Sequence, residues 1–262
     1  MLNRIPNAAG AAPGGWKEKE RYMRLWDKLG LDMDRHRVIA LVGGGGKTTT
    51  MYALAREARE AGKTVIVTTT THILPHPGLF MTDVCDPAAL KELLDKYGIL
   101  TVGQLDRRDK MTGGDVAACA AAADVVLAEA DGARVRPLKV PAGHEPVIPA
   151  QAAAVLALAG MDCLGRTVGD ICHRPEQVCA LLGCDMDHVI TPADVDAILS
   201  SPRGSRKGVG ENMAFRCVLN KADDEERRKG AEKIAALLAQ RGIPAVITAY
   251  SQEEQGGLSW FK

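Results

Sequence analysis

The sequence predicts an α/β fold of three layers, with helices on both faces of a mainly parallel sheet. Short β-branched or apolar runs alternate along the chain with helix-forming segments, which is the pattern of successive βαβ units. Aromatic residues make up only 4% of the chain, so aliphatic side chains must fill the core. An aliphatic core is typical of a parallel sheet that is buried on both sides.

Each predicted element follows from a local pattern. β-Branched and apolar runs predict strands at 37–42, 64–68, 124–128, 215–219 and 245–249, with weaker candidates at 153–158 and 188–191. Helix-forming stretches predict helices at 51–61, 88–97 and 224–241, and another that ends near 117–123. The Gly-, Ala- and Pro-rich residues 1–15 predict a mobile segment, and residues 16–262 a single domain in which 16–36 holds a docking helix.

Composition excludes several classes of protein. The 262 residues carry 33 basic and 33 acidic side chains, and this balance argues against a dedicated nucleic-acid binder. No apolar run approaches the roughly 20 residues that span a bilayer, so we expect no membrane partner. Seven cysteines without a C-x-x-C pair, and no signal peptide, predict a cytoplasmic protein with free thiols.

A glycine-rich segment between a predicted strand and a predicted helix indicates a phosphate-binding loop. Glycines allow backbone N–H groups to surround an anion at a helix N-terminus. Lys47 would neutralise phosphates and Thr48 would bind Mg²⁺. Leu41 stands where the full P-loop pattern has its first glycine, leaving the shortened form of Mur-type amino-acid ligases. The predicted nucleotide-binding residues here are Gly43, Gly44, Gly45, Gly46, Lys47, Thr48 and Thr49.

Two carboxylates end the predicted strand 124–128. Glu129 and Asp131 lie two residues apart, so an extended backbone places them on the same side. In a parallel sheet this strand end would lie beside the glycine-rich loop, at the edge where ligands bind. Lys47, Glu129 and Asp131 are therefore the predicted catalytic residues, with Thr48 and Asp131 the predicted metal ligands.

The segment 220–223 reads N-K-x-D, the tetrapeptide with which GTPases bind guanine. Asp223 would accept from the base and the stem of Lys221 would pack on its ring, with Asn220 completing the motif. The alternative is an ordinary helix start capped by Asp223 or Asp224. GTP is therefore slightly favoured over ATP as the ligand.

Two further segments predict a substrate or partner loop near the nucleotide. Thr70 and His72 follow the strand 64–68 at the same sheet edge. Residues 134–149 contain four prolines, which would hold charged groups in fixed positions. The candidate residues in this second segment are Arg134, Lys139, His144 and Glu145.

These motifs together resemble the YqeC-like accessory proteins of selenium-dependent molybdenum hydroxylases. The matching stretches are VGGGGKTT at 42–49, TTTHI at 69–73, EADGA at 129–133, PLKVPAGHEPVIP at 137–149, GMDCLG at 160–165, HR at 173–174 and LNKAD at 219–223. The resemblance implies a P-loop NTPase fold that uses Mg²⁺ with GTP or ATP. It also implies a client molybdenum hydroxylase, or its cofactor, as the partner.

Three functions are compatible with these residues. The first is a nucleoside triphosphatase that assists maturation of the client enzyme. The second is a ligase or kinase that acts on a small substrate, favoured by the Mur-like loop. The third is a nucleotide-gated chaperone that does not hydrolyse its ligand.

Overall fold

The computed structural model describes residues 23–73, 78–105 and 111–250. The segment 1–15 and the first part of the predicted docking helix lie outside these residues. The helices are α1 (Leu25–Lys28), α2 (Lys47–Glu60), α3 (Pro87–Tyr97), α4 (Val116–Ala122), α5 (Val168–Ile171), α6 (Pro175–Leu182), α7 (Pro192–Ser200) and α8 (Glu225–Gln240), with a 3₁₀ turn at Met161–Cys163. Among the described residues, no helix is long and apolar enough to cross a bilayer.

The strands are β1 (Val38–Gly43), β2 (Val65–Thr69), β3 (His72–Ile73), β4 (Phe80–Thr82), β5 (Ile99–Leu105), β6 (Met111–Gly113), β7 (Val125–Glu129), β8 (Leu138–Lys139), β9 (Ala154–Gly160), β10 (Cys172–His173), β11 (Ala214–Asn220) and β12 (Ala245–Ile247). Ten of them form one sheet in the order β12-β11-β9-β1-β7-β2-β5-β6-β3, with β4 paired to β5. All the pairings are parallel except those of β6 with β3 and with β5. The small pair β8 and β10 lies apart from this sheet and is also parallel.

Helices cover both faces of the sheet, and β1 shows how the sequence builds both cores. Val38, Ala40 and Val42 point into the core formed with α3, α4, α7 and α8. Ile39 and Leu41 point into the opposite core, which α1 and α2 cover. The predicted three-layer α/β fold with a mainly parallel sheet is therefore confirmed.

Capping residues set the starts of four helices. Asp86, Asp115 and Asp224 accept hydrogen bonds from the first turns of α3, α4 and α8. Thr191 and Asp194 form a capping box on α7, so the weak strand prediction at 188–191 is wrong. Only an isolated bridge between Thr167 and Val189 remains of that predicted strand in the described residues.

The described part of the N-terminal region packs on α2. Trp26 is buried, and its indole Nε1 donates to the carbonyl of Leu54 at 3.0 Å. The carboxylate of Glu57 accepts from the backbone N–H groups of Leu25, at 2.8 Å, and Trp26, at 3.2 Å. These contacts hold α1 against α2.

The glycine-rich loop after β1 packs directly on the neighbouring strand β9. Gly43 and Gly45 adopt positive φ angles of 91° and 76°. A Cβ atom on Gly43 would lie 2.3 Å from the carbonyl oxygen of Leu158, and one on Gly45 would lie 2.1 Å from the nitrogen of Gly160. Backbone fills the space on that side, so side chains there would push the loop away from β9.

We expect Gly45→Ala to destabilise the protein more than Gly62→Ala. Gly62 also has a positive φ, of 80°, but a Cβ atom there would meet nothing within 4 Å. Gly62→Ala should therefore cost only the backbone strain, about 1 kcal/mol. Gly45→Ala should cost roughly 2 kcal/mol more because the loop must also move. Urea unfolding of both variants measures the difference, and equal losses would contradict the close packing on β9.

Candidate functional site

The candidate residues meet at the carboxyl edge of the sheet. β1 lies between β7 and β9, and β11 lies on the far side of β9. This order brings the glycine-rich loop between the acidic end of β7 and the N-K-x-D segment after β11. Lys47, Glu129, Asp131 and Asn220 are all buried at this edge. Residues distant in sequence thus form one candidate site.

The first three glycines of the loop donate their N–H groups to the protein itself. Gly43 donates to both carboxylate oxygens of Asp131, at 3.0 and 3.1 Å. Gly44 donates to the carbonyl of Leu158 and Gly45 to that of Arg136. Helix α2 then begins at Lys47. Its N-cap residue is Gly46, and within the described residues no side chain caps this helix start. The first-turn N–H groups of α2 are the donors that remain for an anion.

Lys47 is held at the start of α2 by three oxygen atoms. Its ammonium lies 2.6 Å from the carbonyl of Gly43, 3.2 Å from Asp131 Oδ1 and 3.7 Å from Glu129 Oε1. Burial opposes the charged form, but Asp131 and Glu129 outweigh it and raise the pKa of Lys47. Lys47 therefore remains a cation although its side chain is only 5% exposed.

Asp131 lies between two buried lysines. Lys47 contacts one carboxylate oxygen, and the ammonium of Lys139 lies 3.2 Å from the other. Lys139 is 1% exposed and also donates to the carbonyl of Gly132 at 2.6 Å and to Glu145 Oε2 at 2.7 Å. The predicted loop residues Lys139 and Glu145 thus point inward and support Asp131.

Arg174 completes this set of charges from the surface. Its guanidinium makes a bidentate ion pair with Glu145, with Nη2 3.1 Å from Oε1 and Nη1 on Oε2. Burial would raise the pKa of Glu145, but the hydrogen bonds from Arg174 and Lys139 lower it to about 2. We call Lys47, Asp131, Lys139, Glu145 and Arg174 the buried charge chain. Neighbours along it alternate in sign.

Sequence reasoning did not include Arg174 among the candidate residues. Arg174 precedes α6 with a positive φ of 57° and follows the two-residue strand β10. The pairing of β10 with β8 sets His173 beside Lys139 and so brings Arg174 to Glu145. The only sequence signal was the His-Arg pair at 173–174 within the family resemblance.

Glu129 differs from Asp131 in its contacts, because it lies against the hydroxyl of Thr48. Thr48 Oγ1 donates to Glu129 Oε2 at 3.2 Å. Burial, and to a smaller extent the nearby Asp131, raise the pKa of Glu129, although Lys47 opposes this. A hydroxyl and a carboxylate are oxygen donors of the kind that Mg²⁺ prefers. No group of three His, Cys, Asp or Glu side chains arranged for a metal occurs within the described ranges.

The remaining predicted loop residues are Thr70, His72, Arg134 and His144. The Thr70 hydroxyl donates to the carbonyl of Val147 at 2.8 Å, which ties the end of β2 to the proline-rich segment. His72 lies in β3, as its backbone shows. Arg134 and His144 are exposed, and Arg134 has a positive φ of 46°. These exposed residues stay candidates for contacting a substrate or partner.

Asn220 connects the N-K-x-D segment to the glycine-rich loop. Its side-chain nitrogen donates to the carbonyl of Gly45 at 2.8 Å, and its side-chain oxygen accepts from Thr248 Oγ1 at 2.9 Å. A Cβ atom on Gly46 would lie 2.2 Å from that nitrogen. Asn220 therefore holds the loop, β11 and the segment after β12 together.

Asp223 and Asp224 have different roles in the structure. Asp224 caps α8, because its carboxylate accepts from the N–H of Arg227 at 2.8 Å. Asp223 is 40% exposed and pairs only at 3.3 Å with the guanidinium of Arg227. The helix cap thus needs Asp224 and leaves Asp223 at the sheet edge.

Comparisons with known proteins agree with the family resemblance. The family model described as YqeC protein matches residues 39–176. The chain belongs to the YqeC family. A curated protein of Escherichia coli (strain K12), named Uncharacterized protein YqeC, is 30% identical over 228 residues, which cover 84% of this chain and 89% of that protein. The region that the YqeC model matches contains every member of the buried charge chain.

We expect Glu145→Gln to destabilise the protein in a pH-dependent way. The neutral amide cannot balance Lys139 and Arg174, so the free energy of unfolding at pH 7 should fall by roughly 2–4 kcal/mol. Because the pKa of Glu145 is about 2, below its ordinary value of 4.5, its ionic stabilisation is present above pH 4.5. It is lost as the pH falls toward 2. The deficit of the variant should therefore shrink over this interval.

Denaturant unfolding between pH 2.5 and 7 measures this deficit. Glu211→Gln is the matched control, since Glu211 is exposed. It should change stability by less than about 0.5 kcal/mol. A deficit for Glu145→Gln that is the same at every pH would contradict the ionised, ion-paired state of Glu145.

Proposed function

We propose that the protein binds and hydrolyses a nucleoside triphosphate in a Mg²⁺-dependent manner, with GTP preferred. The observation that carries the proposal is the buried Lys47 at the uncapped start of α2, where β1 ends in glycines. A buried lysine beside free helix N-terminal donors is suited to the β- and γ-phosphates of a nucleotide.

The balance of charge in the site supports a requirement for Mg²⁺. Three carboxylates, of Glu129, Asp131 and Glu145, balance the three cations Lys47, Lys139 and Arg174 when all of them are ionised. A triphosphate would add several negative charges to a site that is already neutral. Mg²⁺ would supply the missing positive charge and polarise the phosphate oxygens.

Thr48 and Glu129 are the pair that we propose to face the metal, with Asp131 close by. Thr48 is exposed and its hydroxyl already contacts Glu129. Asp131 is engaged by Gly43, Lys47 and Lys139, so its first task is to hold the loop and the lysine in place. Glu129 and Asp131 would also orient the attacking water.

Two features of the N-K-x-D segment at 220–223, here called the base-reading segment, support a preference for guanine. Asn220 fixes the segment to the glycine-rich loop, and Asp223 is not used as the helix cap. Guanine offers two neighbouring donors, its ring N–H and its amino group, which suit one carboxylate. Adenine would instead place a ring acceptor against Asp223.

The family resemblance supports a role in maturing a selenium-dependent molybdenum hydroxylase or its cofactor. The exposed Arg134 and His144 lie on the segment that borders the charge chain, where a client would contact the nucleotide site. We propose that the client accelerates hydrolysis. Stimulated GTP turnover on adding the client enzyme would support this role.

Lys47→Met should weaken binding of both GTP and ATP by about 10- to 100-fold, the value of a hydrogen bond to a charged group. Calorimetric titration with non-hydrolysable analogues and Mg²⁺ measures this loss. Lys91→Ala, at an exposed position on α3, is the control and should bind like the wild type. Thermal melting of Lys47→Met checks that this variant is folded. Unchanged affinity in folded Lys47→Met would overturn the proposed function.

Turnover separates the three functions. Mg²⁺-dependent release of phosphate from GTP alone supports the triphosphatase. Release only in the presence of a small acceptor would identify a ligase or kinase. Tight binding without turnover, also with the client present, would identify a nucleotide-gated chaperone.

Asp223→Asn should change the base preference from guanine to xanthine. An amide offers one donor and one acceptor, which match the carbonyl and ring N–H of xanthine but oppose the amino group of guanine. We expect GTP affinity to fall by about 100-fold and xanthosine triphosphate affinity to rise. Asp224→Asn is the matched control, since asparagine also caps helices. Equal effects of the two variants would assign segment 220–223 to helix capping alone.

A further inference from the structure

Asp162 contacts the base-reading segment from a different strand. It lies in the 3₁₀ turn that follows β9, and its Oδ2 accepts from the ammonium of Lys221 at 2.7 Å. Its other carboxylate oxygen is closed to solvent and has no hydrogen-bond partner in the described part of the chain. A half-buried carboxylate with one unused oxygen calls for a functional explanation.

The turn that carries Asp162 also contacts the glycine-rich loop. Asp162 Oδ1 lies 2.4 Å from the position that a Cβ atom on Gly160 would take, and Gly160 packs against Gly45. Gly45 in turn accepts the hydrogen bond from Asn220. Asp162, Gly45 and Asn220 therefore lie at one corner of the site, each at or just after the end of a different strand.

Lys221 needs a partner to take a defined position. Its backbone has a positive φ of 61°, which is uncommon outside glycine, and its side chain is 31% exposed. Ordering a free lysine side chain costs conformational entropy. The ion pair with Asp162 fixes the ammonium at one end, so the methylene stem is ordered before a ligand arrives.

We propose that Asp162 is a positioning residue for base recognition, which holds Lys221 so that its stem forms one wall of a guanine pocket. This inference rests on the proposed function and names a residue outside the N-K-x-D segment. Burial and, to a smaller extent, the nearby Asp162 carboxylate raise the pKa of Asp223, so the two carboxylates lie near one another. Asp223 would accept from the donor edge of guanine, and Asp162 would act only through Lys221.

The test compares Asp162→Asn, Lys221→Met and the double variant for binding of GDP and ADP with Mg²⁺. Methionine keeps an unbranched stem but removes the ammonium. Each single change should weaken GDP by about tenfold and ADP by less than twofold. If Asp162 acts through Lys221, the double variant should bind GDP no more weakly than the weaker single variant. Asp187→Asn, on an exposed acid, is the control.

Opposite outcomes overturn the inference. Equal losses for GDP and ADP would assign Asp162 to structural support, and additive losses would show that it does not act through Lys221. If Asp162→Asn does not fold, the selectivity of Lys221→Met decides, and unchanged selectivity overturns the proposal. Wild-type protein that binds GTP and ATP equally overturns it together with the proposed GTP preference, but leaves the proposed triphosphatase activity intact. Failure to bind either nucleotide overturns both.

Discussion

The candidate site depends on the position of the Asp131 carboxylate between two buried lysines. Asp131 accepts the N–H of Gly43 and contacts Lys47 on one side and Lys139 on the other. Breaking a buried ion pair costs roughly 3–5 kcal/mol, because one charge is left without compensation. Asp131 also faces Lys47, so Lys139 needs a second carboxylate, which is that of Glu145. Glu145 in turn needs a second cation, which reaches it from outside the core. Arg174 meets that need.

The same constraint explains the chain segments that surround the site. Lys139 and Glu145 are six residues apart in the proline-rich segment 137–149, and their charged groups meet at 2.7 Å. The pairing of β8 with β10 is only two residues long, and the ion pair between Glu145 and Arg174 lies beside it. Loop, short sheet and ion pairs thus support one another. We expect a substitution of Glu145 to alter the interactions of Lys47, because Lys139 and Asp131 connect the two residues.

The sequence patterns predicted the repeating architecture better than the connections between elements. β-Branched runs located β1, β2, β7, β11 and β12 because parallel strands are buried along their whole length. The wrong strand at 188–191 arose because the Thr191 capping box competes with strand pairing. Arg174 was missed since its partner, Glu145, is 29 residues away and is reached only through the β8–β10 pair. No local pattern encodes such a contact.

The two ends of the site differ in rigidity, and this difference bears on mechanism. At the proposed phosphate end, buried charges and glycine backbone packed on β9 leave little freedom. At the proposed base end, Lys221 and Asp223 are each about one third exposed or more, and one oxygen of Asp162 has no partner among the described residues. A rigid phosphate site would discriminate poorly between bases, because all nucleoside triphosphates carry the same phosphates. The proposed base specificity would therefore arise at this second end, where a ligand can still order the side chains.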